Sequence, residues 1–359
     1  MYKYHQVFFY LFKKIFLYDY NLNKYFSMAK VINKTKITGK IVCDKRELDL
    51  GITLKGGQSF RWTAIENGKK YRGVFAGEVW TLHQDDRHIY YKTHGSKLKN
   101  SLDCENELTK YFNLHVSLKE NLENWSSNDE NFEKFSNIVD GVRILNQDVV
   151  ENTFSFICSA NNNIVRITGM VEKMCRHFGK KICQLNKEWY HDFPTIESLA
   201  QDNVQSLLST EGFGYRAPYI HNTAKKLVEL GGRKWLESLH KQHGAEYETA
   251  RQAIQVLPGV GPKVADCICL MSLGHLESIP VDTHIYQVAR ETYLPNLKQV
   301  SSVTPAIYHD VSRHLRTTWG PLAGWAQAVV FCTRIKDNSR KKKTQNDVND
   351  NSSKKLKKK

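Results

Sequence analysis

Residues 257–267 read LPGVGPKVADC. Gly259 and Gly261 flank a valine, Pro262 follows, and Lys263 then stands in what the pattern makes the first turn of a helix. Proline suits the first helical position, because its missing N–H would go unsatisfied there anyway. A cation does not suit that turn, because the helix dipole is positive at its N-terminus. The preceding YETARQAIQ (247–255) has the spacing of an amphipathic helix, and KVADCICLM (263–271) opens another. The stretch therefore reads as helix–hairpin–helix, a device that grips DNA backbone without reading base sequence. Gly259 and Gly261 leave backbone N–H groups facing outward, where a phosphate docks on the helix N-terminus.

Lys263 then has two readings. One is a lysine that contacts phosphate. The other is a nucleophile, which must be neutral against a reference pKa of about 10.4. The positive end of a helix, with partial desolvation, lowers that value. Cys267 follows one turn later on the same face. In IPVDTHIYQVAR (279–290), Asp282 precedes a helical run and suits the N-cap. Beside a neutral amine it also completes a chemical pair. The amine attacks a sugar anomeric carbon, and the carboxylate stabilises the positive charge that develops as the base departs. His284 reads as a phosphate donor or as a packed histidine.

Outward from this centre, YRGVFAGEVWTLHQDDRHIYYKT (71–93) alternates aromatic and β-branched runs with the turn signals AG and QDD. The period becomes helical from about residue 100, in ENELTKYF, NFEKFSNIVDGVRIL, VVENTFSFICS, NIVRITGMVEKMCRHF, TIESLA and APYIHNTAKKLVEL. The expected class is α+β: an N-terminal antiparallel β-sheet module over 38–145, ending in helices, and then a helical bundle over 146–335 that holds the hairpin. Residues 1–37 form an N-terminal extension, targeting or disordered, and residues 1–28 read either as a weak organellar address or as an upstream extension before a true start at Met28. Its apolar runs fall short of the ~20 residues that span a bilayer. Residues 336–359 read as a disordered basic tail whose two clusters resemble a bipartite nuclear import signal.

The net charge of +15 supports a polyanionic partner only weakly, because it sits mostly in the tails. Residues 334–359 carry 11 Lys/Arg against 3 Asp, and residues 1–28 carry 4 Lys against 1 Asp. The body therefore keeps 15 − 8 − 3 = +4. Eight cysteines occur without a CxxC pair or zinc spacing, which suits reduced thiols in a nuclear, cytosolic or mitochondrial compartment.

Six stretches together resemble the helix–hairpin–helix DNA glycosylase superfamily, and within it the eukaryotic 8-oxoguanine DNA glycosylases. They are GGQSFRW (56–62), FSFICSANNNIVRITGMVE (154–172), GFGYRAPY (212–219), LPGVGPKVADCICLM (257–271), PVDTH (280–284) and GWAQAVVF (324–331). The resemblance runs from about Thr38 to Phe331. It implies a bifunctional glycosylase/lyase with Lys263 as Schiff-base nucleophile and Asp282 as its partner. Gly57 would offer its carbonyl to the N7–H of 8-oxoguanine, which guanine lacks. Gln327 would read the flipped base between Phe331 and Cys267. Asn161, Arg166 and Arg216 would meet the estranged cytosine, Tyr215 would wedge beside it, and His284 would face a phosphate.

The implied partner is duplex DNA holding 8-oxoguanine opposite cytosine. A monomer is implied, in the nucleus with the mitochondrion as a second site, with no cofactor, no metal and no membrane. One departure stands out: Arg334 occupies a position where the family usually has an acid that orients the histidine matching His284. Endonuclease III-like and adenine glycosylases usually carry a four-cysteine iron–sulfur loop after the aspartate, and this chain has only Cys332 there. A DNA-binding module without chemistry is the other alternative, and retention of both Lys263 and Asp282 argues against it.

Overall fold

Alternation of side chains makes the start of the body a sheet with one buried face. The computed structural model describes residues 36–95 and 97–336. The N-terminal extension up to residue 35 and the basic tail beyond residue 336, with the readings attached to them, lie outside the described residues. Strands β1 (Thr38–Val42), β2 (Trp62–Ile65), β3 (Lys70–Phe75), β4 (Glu78–Gln84) and β5 (His88–His94) form an antiparallel sheet in the order β1-β5-β4-β3-β2. The AG turn between β3 and β4 places Ala76 and Gly77 at φ +52° and +73°, the left-handed pair that a tight hairpin needs. Tyr71, Trp80, Leu82, Ile89 and Tyr91 bury the inner face against α1 (Leu50–Lys55) and α2 (Ser101–Tyr111). Helix α1 stands between β1 and β2 and delivers the chain to Gly56 and Gly57.

The second core is helical. It takes in α3 (Leu118–Asn128), α4 (Glu130–Ser136), α5 (Val149–Ser159), α6 (Ile164–Phe178), α7 (Ile196–Leu199), α8 (Val204–Thr210) and α9 (Arg216–Leu230). It continues through α10 (Arg233–Ser238), α11 (Tyr247–Ile254), α12 (Pro262–Ser272), α13 (Thr283–Val288), α14 (Pro305–Trp319) and α15 (323–336). All eight cysteines are buried, and none forms a disulfide among the described residues.

Two readings need correction. NFEKFSNIVDGVRIL is helical only as far as Ser136, and residues 137–148 are irregular. Gly141 sits there at φ +68°, with the backbone of Lys45 and Asp49 occupying the space a Cβ would need. The apolar residues Ile138, Val142 and Leu145, spaced i, i+4 and i+7, mimic a helical face although this segment has no regular structure. The second correction is a hairpin, β6 (Lys181–Leu185) and β7 (Glu188–His191), that the sequence reading lacked. It joins Ile182 and Cys183 to Val74 and Val79 and so covers one end of the sheet's outer face.

Arg143 locks the irregular segment in place. Its guanidinium is 1% exposed and donates to the carbonyls of Phe112, Glu47, Asn113 and Val116 and to the Glu47 carboxylate. It also lies 5.0 Å from the Trp325 ring on α15. Such a group persists in a core only because every donor is matched.

Candidate active site

Helix α12 starts as the sequence suggests. Gly261 is its extended N-cap, Pro262 its first residue, and Lys263 lies in the first turn. Gly259 has φ +79°, and a Cβ there would fall 2.8 Å from the Tyr219 side chain on α9. The Thr223 hydroxyl of α9 donates to the Pro258 carbonyl at 2.6 Å. The hairpin therefore rests directly on α9, whose N-terminus is Tyr215–Arg216. Gly261 faces open space, so its side-chain-free backbone is left accessible.

Lys263, half-buried, holds its Nζ 4.9 Å from the centre of the Phe156 ring on α5. It borders a cavity of ~80 Å³ together with Gly57, Cys267, Asp282, Gln327 and Phe331. Segments far apart in the chain converge there. Asp282 caps α13, accepting the Ile285 N–H at 2.8 Å, and it also borders the cavity. The N-cap reading of that carboxylate is met, and the same residue lines the pocket that Lys263 lines. Burial pushes the Cys267 thiol up to about 11, with Lys263 the leading charge that pulls it back. A neutral thiol is a suitable flat-packing neighbour for a base.

Gly57, at φ +76°, is set by its neighbour. The Gln58 amide donates to the Arg143 carbonyl at 2.7 Å and accepts the Leu145 N–H at 2.9 Å, as a strand would. Gln147 closes the clamp, donating from its side chain to the Gln58 carbonyl at 2.8 Å and from its backbone to the Met271 carbonyl of α12 at 2.7 Å. Gln327 and Phe331 stand one turn apart on α15. His284 packs edge-on against Phe331, with ring centres 5.9 Å apart. Arg334 is ion-paired with Glu291, so its charge is spent away from His284.

The remaining named residues gather on a second patch outside the cavity. Asn161 turns between α5 and α6 at φ +46°. The Arg216 guanidinium donates to the Ala160 carbonyl and, at 3.0 Å, to the Asn161 carbonyl. It also stacks 4.3 Å from the Tyr215 ring, whose hydroxyl donates to the Ala160 carbonyl at 2.9 Å. Arg166 reaches the Gly212 carbonyl at 3.4 Å. Tyr215 is 52% exposed and Val165 is 83% exposed, an apolar surface beside three polar groups.

The sequence reading missed Asp266. This carboxylate is fully buried on α12 and accepts Tyr247 Oη–H at 2.6 Å, Arg251 Nε–H at 2.9 Å, Ser278 Oγ–H at 3.1 Å and the Tyr308 hydroxyl. The Tyr308 hydroxyl also accepts the Val281 N–H at 3.3 Å. Asp266 thereby ties the helix of Lys263 to the segment that carries Asp282. The signal was present as a lone charge inside the apolar run VADCICLM. Phe156 and Gln58 were missed as well. A larger cavity of ~700 Å³, bounded by Asp148, Glu151 and Arg233, contains none of the site residues expected from the sequence, so chemistry and not volume selects the site.

Comparison with known proteins gives a consistent result. Residues 40–153 match the family model described as 8-oxoguanine DNA glycosylase, N-terminal domain, and residues 154–307 match the HhH-GPD superfamily base excision DNA repair protein model. An N-glycosylase/DNA lyase of Saccharomyces cerevisiae is 38% identical over 335 residues, spanning 83% of this chain and 86% of that one. An Arabidopsis thaliana N-glycosylase/DNA lyase is 36% identical over 293 residues, spanning 80% of this chain and 78% of that one. Among solved structures, the Clostridium acetobutylicum 8-oxoguanine glycosylase/lyase bound to duplex DNA with cytosine opposite 8-oxoguanine superposes with a TM-score of 0.70 at 26% identity, covering 81% of this chain and 93% of that one.

Proposed function

We infer, from the premise that this chain belongs to the 8-oxoguanine DNA glycosylase family, how its own residues carry the family's chemistry. The protein is an N-glycosylase/DNA lyase that removes 8-oxoguanine in base excision repair. Its proposed substrate is duplex DNA with 8-oxoguanine opposite cytosine. The observation that carries the residue assignment is the ~80 Å³ cavity in which Lys263, Asp282, Gly57, Cys267, Gln327 and Phe331 meet.

The duplex bends and the damaged nucleotide leaves the stack, at a cost of roughly a few kcal/mol that favours already weakened pairs. Gly57 accepts the N7–H, Gln327 reads the Watson–Crick edge, and Cys267 and Phe331 hold the two faces. Lys263 Nζ, neutral, attacks C1′, and the C1′–N9 bond breaks with its electron pair leaving on the base. Asp282 stabilises the positive charge at the sugar. The sugar ring then opens to a protonated imine as a nitrogen proton moves to O4′, the departed base anion takes the C2′ proton, and the 3′ phosphate departs with the C3′–O electron pair. Asn161, Arg166 and Arg216 accommodate the estranged cytosine, and Tyr215 fills the bend. Gly259 and Gly261 receive backbone phosphate, and His284 meets phosphate near the lesion from its perch on Phe331. The clusters at 340–343 and 354–359 support a nuclear location. No helix among the described residues is long and apolar enough to cross a membrane.

Borohydride trapping tests this directly. Wild type should form a covalent adduct on duplexes carrying 8-oxoguanine opposite cytosine, whereas Lys263→Gln should form none and lose base release while still binding DNA. Base release by the variant at the wild-type rate would remove Lys263 from the chemistry.

A further inference from the structure

The sheet's outer face has no part in the reaction, yet its composition is unusual. In register across β1 and β5, Lys40 faces Tyr90 and Thr38 faces Lys92. Across β5, β4 and β3 the second row continues from Lys92 to Thr81 to Arg72, and the first from Tyr90 to His83, whose ring lies within reach of the Lys70 charge. Lys36 lies on the same side by alternation. Lys36, Lys40, Arg72 and Lys92 form no ion pair among the described residues. The acids nearby are already engaged: Glu66 by Lys70 at 2.9 Å, and Asp85 by the Tyr90 hydroxyl and the N–H groups of Arg87 and His88. His83 and Tyr90 stack on each other with ring centres 4.8 Å apart.

These side chains border a shallow depression of ~430 Å³, lined by Lys40, Lys70, Lys92, His83, Tyr90 and Thr81. Hairpin β6–β7 covers only the opposite end, at Val74 and Val79. Unpaired cations in neighbouring rows repel one another, so the sheet carries them at a cost in stability. A linear polyanion lying across the strands would meet Lys40 on β1, Lys92 on β5 and Arg72 on β3, spread over about 15 Å at the usual strand spacing. A single small anion would touch only one or two of them.

We propose that this face binds the phosphodiester backbone of a second DNA segment, apart from the lesion-bearing one. None of its residues borders the cavity of Lys263. The proposal goes beyond the excision chemistry and does not depend on it. Holding a second segment would let the enzyme pass between DNA strands without full release.

The test compares full-length wild type with Lys40→Gln/Arg72→Gln/Lys92→Gln on an undamaged duplex across a salt series. Each phosphate that the variant no longer neutralises lowers the log–log salt slope by about 0.9, so the slope should fall by about 2 to 3, with weaker binding at low salt. Single-turnover release of 8-oxoguanine at saturating enzyme should stay at the wild-type value, and the melting temperature should hold or rise as the repulsion is relieved. An unchanged slope in the folded variant overturns the proposal and leaves the face to an acidic protein. A fall in saturated excision overturns it too, by placing the face in the lesion complex. If the triple variant fails to fold, Lys40→Gln/Lys92→Gln, at two solvent-facing side chains, gives the same reading with a fall of about 2. Borohydride trapping of wild type remains a separate measurement, so loss of this proposal and loss of the excision assignment are distinguishable.

Discussion

At Asp282 one carboxyl group serves architecture through one oxygen and borders the reaction cavity as well. Asparagine keeps an acceptor for the Ile285 N–H but carries no charge. Asp282→Asn is therefore expected to unfold within about 0.5 kcal/mol of wild type, while single-turnover excision falls roughly 10²–10³-fold. Asp282→Ala should show the same kinetic loss plus about 1 kcal/mol of lost stability from the missing cap. Thermal unfolding beside single-turnover kinetics separates the two jobs, and full activity in the asparagine variant would leave Asp282 as a cap alone. Sequence alone leaves these roles open, because capping and charge stabilisation ask for the same atoms in the same place. Lys263 was legible for the opposite reason, as a cation at the end of a helix where no architectural rule wants one. The Arg216 guanidinium shows what one sequence cannot supply: in the structure it braces the Ala160–Asn161 turn, and its Nε has no partner among the described residues.

At the scale of elements, the hairpin offers a sharper test than any single catalytic residue. Gly259 needs a left-handed backbone and has Tyr219 against it, whereas Gly261 has φ −89° and open space. Gly259→Ala should cost about 1–3 kcal/mol in urea unfolding, from backbone strain and the clash together. Gly261→Ala should cost less than about 1 kcal/mol yet weaken duplex binding, since a methyl would enter the open space where phosphate is proposed to dock. Equal stability of the two variants would contradict the packing of the hairpin on α9. Helices with long periodic faces were readable almost to the residue, as with VVENTFSFICS and α5. The segment 137–148 was not, because its backbone is satisfied by Gln58 and Thr53 from distant parts of the chain. The Asp266 network escaped for the same reason: its partners lie on α11, on α14 and in the 278–281 segment, and pattern along one helix cannot reveal them.

The whole molecule joins two cores of different character, and its charge is uneven. His94 lies under the cationic sheet face, 9% exposed, with Nδ1 unpartnered among the described residues. Burial first, and then Lys92, Arg72 and Lys36, lower its pKa from 6.5 to about 4. The unfolded chain therefore binds this proton more readily than the folded one between those values. The stability owed to neutral His94 is complete above pH 6.5 and is lost as pH falls toward 4. Urea midpoints measured from about pH 7 to about pH 5 should decline for wild type and decline less for His94→Gln. Equal slopes would mean the imidazole keeps its ordinary affinity for protons. The α+β architecture, a sheet first and a helical body after it, was visible in the change of period near residue 100. The outer-face cations were visible too, but nothing in a linear reading places Lys40, Lys92 and Arg72 on one side of one sheet.

Gly259 against Tyr219, with Thr223 holding the Pro258 carbonyl, makes the proposed phosphate grip and the proposed wedge at Tyr215 two jaws of one caliper. A caliper with a fixed gap does not follow its object; it either fits or stands off. On the proposed roles, straight, well-stacked DNA would engage one jaw at a time, and the second would close only where the helix yields. A search along DNA would then be a series of discrete trials, each ended by the stiffness of the duplex before the base is read.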